Sequence, residues 1–281
     1  MNNDTESEKP ILPISEATPC VYVLADTRLW SMDSEGAEGV PATDLSRYLR
    51  SIGVWDWTTD AESDGAKLIE VAGRLCYKSF APGLNANVKK VRQGNARYLR
   101  NLISSGHGSV MEHVSITFLF QDVSRVFTHE LVRHRAGVAI SQESMRYVRL
   151  DELMMYLPSV IRDNPRVLSA AAQLVQRMEE FQRFAAAEYG LDDSADFAYK
   201  KHVTSALRRF APIGVATNIV WTANLRALRH VIEMRTSKAA EEEIRLVFDQ
   251  VADIARTMYP TVFQDYERNA DGEWIPRVRK C

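Results

Sequence analysis

The sequence predicts an α+β protein with a mixed or antiparallel sheet flanked by long helices. From Gly65 onward, apolar residues recur mostly at helical spacing. Only short runs rich in β-formers interrupt them, at 113–120 and 216–222, with a third near the start at 20–25. These runs have no regular strand–helix–strand rhythm, which argues against a doubly wound parallel sheet.

Residues 1–18 are polar and carry Pro10 and Pro13, the composition of a mobile arm. Residues 19–62 form an N-terminal extension. It holds a strand in CVYVLA, a Gly/Pro/Asp/Ser-rich loop and a short helix in LSRYLRSIGVWDW, with Trp30, Trp55 and Trp57 expected as anchors. Residues 63–262 make the main domain. Leu68, Val71, Ala72 and Leu75 mark its first helix, in which Cys76 reads as a packed residue. Val88, Val91, Tyr98 and Leu102 extend a second helix over 85–102, stopped by Gly106. HVSITFLF is a strand, and a helix runs from Val123 to about His134. A long Ala-rich helix spans 164–188, opened by Pro165, and another spans 195–210, closed by Pro212. ATNIVWT is a strand, and helices over 224–234 and 238–258 end at Pro260. Residues 263–281 are a tail.

A net charge of -2 argues against a nucleic-acid coat or a basic membrane patch. The cysteines, Cys20, Cys76 and Cys281, form no CxxC and no paired framework, as in a reducing compartment. The start lacks the basic-then-apolar form of a signal peptide, and no window approaches ~20 apolar residues. The expectation is a cytoplasmic protein that engages neither membrane nor nucleic acid.

The densest chemistry lies in RHRAGVAISQESMRY, Arg133 to Tyr147, with three arginines, a histidine and two serines. Guanidiniums so close together suit a phosphorylated, hydrogen-bonding ligand. His129, Glu130 and His134 superficially suggest a zinc helix. The histidines are five apart, roughly 140° around a helix, where the zinc motif needs four. No metal site is expected. Arg133 and Arg135, if helical, would point to nearly opposite sides. GHGS at 106–109 lacks the glycine pattern of a dinucleotide-binding turn, and no GxSxG elbow occurs. In WTANLRALRHVIEMR, Asn224 suits a helix N-cap, and Arg226, His230 and Arg235 stand among apolar residues as at a pocket wall.

RHR followed by SQxSxRY resembles the signature of flavin-dependent thymidylate synthases. GRLCY at 73–77, GHGSVMEH at 106–113, and WTANLRAL at 221–228 with Arg235 resemble flanking segments of that family, in order. The resemblance covers about residues 65–260. It implies a catalytic domain over 63–262 and a homotetramer of α+β subunits with shared active sites. It also implies C5 methylation of dUMP, with FAD as hydride relay, methylenetetrahydrofolate as carbon source and NADPH as reductant.

Residue by residue, the resemblance implies that His107, Ser109, Gln142, Asn224, Arg226 and His230 contact FAD. Arg133, His134 and Arg135 would be shared between flavin and nucleotide. Glu130, Glu143, Ser144, Met145, Arg146 and Arg208 would hold the uridine nucleotide. Arg235 would be catalytic, stabilising negative charge on the uracil ring, so that no cysteine nucleophile is required. No base stands near Ser144 in sequence, so it is read as a hydrogen-bonding residue rather than a nucleophile.

Two departures bear on the substrate. Eight residues, 136–143, separate RHR from Ser144 where the family usually has seven. Glu130 stands where a glutamine often contacts substrate, and an ionised carboxylate only accepts hydrogen bonds. The alternative substrate is therefore UMP, alone or with dUMP. A non-catalytic RNA-binding protein using the same arginines is the reading from a different class.

Overall fold

The computed structural model describes residues 14–30 and 45–281. The arm expected at 1–18 lies outside the described residues up to position 13, as does 31–44 in the following loop. Within 14–18, Ala17 N–H donates to Met155 O at 2.8 Å and Met155 N–H to Ser15 O at 2.8 Å.

The elements in order are β1 (Cys20–Asp26), α1 (Leu45–Ser51), α2 (Asp64–Tyr77) and α3 (Asn95–Ser104). A 3-10 turn (Gly108–His113) leads into β2 (Ser115–Ser124), α4 (Arg125–Leu131), β3 (Val138–Gln142) and α5 (Ser159–Arg162). Then follow α6 (Pro165–Glu188), α7 (Phe197–Leu207), a 3-10 turn (Arg208–Phe210) and β4 (Ala216–Asn224). The chain closes with α8 (Leu225–Arg235), α9 (Glu242–Met258) and the strands β5 (Tyr266–Arg268) and β6 (Trp274–Pro276). One sheet has the order β1-β2-β4-β3, and β5 pairs antiparallel with β6 in another.

The antiparallel expectation holds around β4. Asn224 N–H donates to Gly137 O at 2.9 Å and Glu143 N–H to Asn218 O at 3.0 Å, so β3 and β4 run in opposite directions. The Thr117 and Thr222 hydroxyls meet at 2.9 Å, and Leu225 N–H reaches Val114 O at 2.8 Å, which sets β2 antiparallel to β4 as well. The fold is α+β.

Two compact units divide the chain, with the division falling inside β2, β3 and β4. The first unit comprises 1–20, 119–133 and 140–220; the second comprises 21–118, 134–139 and 221–281. In the first, Leu150, Leu153, Met155, Leu157, Val175 and Val215 form an apolar core. In the second, Trp221 is buried between Phe118 and Phe248, with ring centroids at 6.2 and 5.8 Å.

The same strand-to-helix junction recurs in each unit. Ser124 and Asn224 end β2 and β4 in extended conformation, and each side chain accepts from the N–H three residues on, so each strand passes directly into a capped helix. Arg125 N–H, at the start of α4, is taken up by Val215 O at 3.1 Å.

Several expectations need correction. The helix expected over 85–102 begins at Asn95, because Gly94 takes φ +83°. The helix expected from 238 begins at Glu242, where Glu241 accepts from Glu243 N–H as N-cap. Strands β3, β5 and β6 are additional. Of the three tryptophans, only Trp57 packs, edge-on to Phe80 at 5.4 Å; Trp30 and Trp55 are exposed.

Helix α2 turns a different face inward from the one its apolar residues mark. Gly65, Ala66, Ile69, Glu70, Gly73 and Arg74 are buried, while Leu75 and Cys76 are exposed. Glu70 and Arg74 are tolerated inside because they pair at 2.7 Å, and Arg74 also donates to the carbonyls of Ser79 and Arg92. At Gly73 a Cβ would lie 2.9 Å from both Leu102 and Tyr98, so α3 packs directly on the glycine.

Candidate functional site

In the second unit, three sequence-distant segments meet. His134 and Arg135 follow α4 in irregular chain, outside any helix. The helical angle argued for His129 and His134, and that for Arg133 and Arg135, therefore has no helix to act on. Among the described residues, no group of three His, Cys, Asp or Glu side chains is placed to hold a metal ion.

Arg235, the last residue of α8, donates from Nε to His134 Nε2 at 2.9 Å. A ring nitrogen accepts only when unprotonated. Burial, then the charges of Arg235 and His230, push the His134 pKa down to about 4, so the acceptor is present at neutral pH. The His230 ring stands edge-on to His134, with centroids 6.4 Å apart.

At the other end of α8, Asn224 is the N-cap, its Oδ1 accepting from Ala227 N–H at 2.8 Å. Gly137 takes φ +70°, and a Cβ there would fall 2.4 Å from Asn224 Nδ2. The Ala136–Gly137 turn thus fits beneath Asn224 only because residue 137 lacks a side chain. His134 to Gly137 is tied to both ends of α8.

The 3-10 turn brings His107 and Ser109 beside Arg226 in an open cleft of about 270 Å³, also lined by Cys76 and Tyr77. The Tyr77 and His107 rings stack at 5.8 Å, with the Tyr77 hydroxyl 3.1 Å from His107 Nδ1. Arg226 pairs with Glu112 at 2.5 Å. Ser109, Arg135, Arg226 and His230 are exposed, while His134, Asn224 and Arg235 are partly buried.

In the first unit, α4 and β3 organise a separate set. Gln142 Nε2 donates to Thr128 Oγ1 at 3.1 Å, and that hydroxyl donates to Arg125 O at 3.1 Å. Glu143 Oε2 accepts from Asn218 Nδ2 at 3.0 Å. Ser144 opens a turn: its Oγ accepts from Arg146 N–H at 3.3 Å and its carbonyl from Tyr147 N–H at 3.0 Å. Met145 packs against the apolar core of the unit. Glu130, in the last turn of α4, is partly buried, and Arg133, Arg146 and Arg208 are exposed.

Arg125 carries no motif signature. It is partly buried, and burial followed by the positive charge of Arg208 lowers its pKa. Neither arginine has an ion-pair partner among the described residues, which leaves two neighbouring guanidiniums open to an anion. The only local signal was a basic residue directly after the Ser124 cap.

A second open cleft, of about 160 Å³, lies in the same unit beside Arg146, Arg149, Lys200 and Lys201. There the Tyr147 and Phe197 rings stack at 6.0 Å. Lys201 stands 5.1 Å from the Tyr147 ring centre, and its hydrogen bond and charge lower the Tyr147 pKa.

The family described as "Thymidylate synthase complementing protein" matches residues 58–261. The flavin-dependent thymidylate synthase of Mycolicibacterium gilvum (strain PYR-GCK) is 37% identical over 218 residues, covering 76% of this chain and 84% of the relative. That of Mycobacterium marinum (strain ATCC BAA-535 / M) is 37% identical over 232 residues, covering 78% and 87%. The corresponding protein of Mycobacterium tuberculosis (strain ATCC 25177 / H37Ra) is 37% identical over 215 residues, covering 75% and 83%. On the extent of these matches, the chain belongs to the flavin-dependent thymidylate synthase family and is an enzyme of that methyltransferase type.

Proposed function

We propose that the protein methylates C5 of dUMP to give dTMP, with FAD as bound cofactor, methylenetetrahydrofolate as carbon donor and NADPH as reductant. The observation that carries this reading is the hydrogen bond from Arg235 to a neutral His134. It joins the two segments on which the family resemblance rests most heavily, and it orients a permanent positive charge.

What supports a flavin in the second unit is its donor set. Exposed Ser109 and Arg226, together with His107 stacked on Tyr77, offer hydrogen bonds, a cation and aromatic surface around one cleft. Asn224, Arg135 and His230 would complete that donor set. When bound, FAD supplies hydride transfer. Arg235, oriented by His134, would hold positive charge where negative charge builds up on the uracil ring as it is activated for reaction at C5. A fixed guanidinium of this kind lowers the barrier without a covalent nucleophile.

Further residues would contact the nucleotide. Arg125 and Arg208 suit its phosphate, Ser144 and Arg146 add donors, and the Gln142–Thr128 bond holds the strap that carries them. Glu130, Arg133, Glu143 and Met145 belong to the same proposed set, with Glu130 accepting from a sugar hydroxyl or a base N–H. Arg133, Arg135 and Gln142 would also touch the flavin. The active form proposed is a homotetramer with shared sites, acting in the cytoplasm. Among the described residues, no helix is long and apolar enough to cross a membrane.

The spectrum of the purified protein tests the reading. Flavin absorbance that co-purifies, or is restored by added FAD, is the expected result. A colourless protein that takes up no FAD but binds RNA with steep salt dependence would replace the reading with an RNA-binding one.

A further inference from the structure

We propose that Arg279–Cys281, which lies beyond the stretch matched by the family, is a positioning segment that seats the Gly106–Ser109 turn against α8 and so sets flavin affinity. The inference rests on the assignment of that turn to flavin.

The segment is anchored at successive points. Just before it, Arg277 N–H donates to Asp265 O at 3.0 Å. Arg279 Nε pairs with Glu233 Oε1 at 3.1 Å, two residues before Arg235 on α8. Cys281 Sγ donates to Ile103 O, in the last turn of α3, at 3.3 Å. Burial pushes the Cys281 thiol pKa up, which keeps it a donor.

Two glycines of the turn record how closely the segment approaches. A Cβ on Gly108 would lie 3.2 Å from Cys281 Cα and 3.3 Å from its carbonyl carbon on one side, and 3.0 Å from Arg226 Nε on the other. Gly108 is accordingly buried between residue 281 and a proposed flavin ligand. On Gly106, at φ +71°, a Cβ would stand 3.4 Å from Lys280 Cβ. Lys280 and Cys281 do not line the cleft, whereas Gly106, His107, Gly108 and Ser109 do. The segment therefore acts through the turn. Loss of such support lets His107 and Ser109 drift relative to Arg226, and displacements of about 1 Å at a binding group weaken its interactions steeply.

The test uses the full chain, a deletion of residues 279–281, and Arg279→Ala. FAD is titrated into each apo protein by quenching of flavin fluorescence, and turnover is measured at saturating FAD. The deletion is expected to raise the FAD dissociation constant about tenfold, with Arg279→Ala between deletion and parent. Turnover at saturating FAD should stay within about twofold of the parent, since the segment touches no reacting group. If the parent binds FAD and both variants match it within about twofold, the proposal falls while the flavin assignment stands. Equal FAD affinity for Arg279→Ala and the parent overturns it even where the deletion fails to fold. If the parent takes up no FAD, the flavin assignment itself fails.

Discussion

Arg235 and His134 act as a pair, and each predicts a different experiment. Replacing Arg235 with Ala removes a preorganised charge from the proposed position of the uracil ring. Loss of one such donor costs about 10²–10³ in kcat. The expectation is a methylation rate lower by that factor with FAD still bound, read by single-turnover dTMP formation beside the flavin spectrum. Flavin loss with normal turnover on added FAD would contradict the role. His134 predicts a pH effect. Its folded pKa is depressed to about 4, while an unfolded imidazole protonates near 6.5. As pH falls from 6.5 towards 4, the unfolded state takes up the proton first, so stability contributed by the neutral ring is full above 6.5 and is lost on the way down. Denaturant unfolding of His134→Asn at pH 7 and pH 4.5 should show a smaller acid loss than the parent. Equal losses would mean that the ring titrates normally.

At the scale of elements, the turn at Gly137 and the inner face of α2 carry the sharpest demands. Gly137→Ala forces a side chain into a left-handed turn beneath Asn224. The backbone term alone costs roughly 1–3 kcal/mol, and the clash with the α8 cap adds to it. A lower unfolding midpoint together with weaker FAD binding is expected, and an unchanged protein would show that the turn has room to shift. For α2, Glu70→Ala leaves Arg74 buried without its carboxylate, a loss of about 3–5 kcal/mol, measurable by chemical denaturation. A change under about 1 kcal/mol would contradict the buried-pair account.

These same elements show where the sequence was readable. The Pro165 start of α6, the Asn224 cap of α8 and the alternation in β2 and β4 were legible, because capping and period are local. The inner face of α2 was not, since a paired Glu and Arg occupy positions that periodicity reserves for apolar residues. Strand β3 lies hidden inside the arginine-rich motif, five residues long and nowhere fully buried. The proposed site residues with motif signatures rest on the family resemblance. Nothing local marks Arg125, because its electrostatic neighbour Arg208 lies 83 positions away. The packing of Lys280 and Cys281 on Gly106 and Gly108 likewise has no local mark.

For the whole molecule, family membership establishes a thymidylate synthase-type enzyme, and the substrate proposed for it is dUMP. The turn at Gly137, within the eight residues that separate RHR from Ser144, packs against Asn224. The Gln142–Thr128 hydrogen bond holds the segment leading to Ser144. The most direct test supplies the FAD-loaded protein with methylenetetrahydrofolate and NADPH, and with dUMP or UMP, and follows the methylated nucleotide by mass. The account predicts dTMP from dUMP, dependent on both FAD and the folate, with UMP the poorer substrate. Methylation of UMP in preference to dUMP, or no methylation of either by flavin-loaded protein, would contradict it.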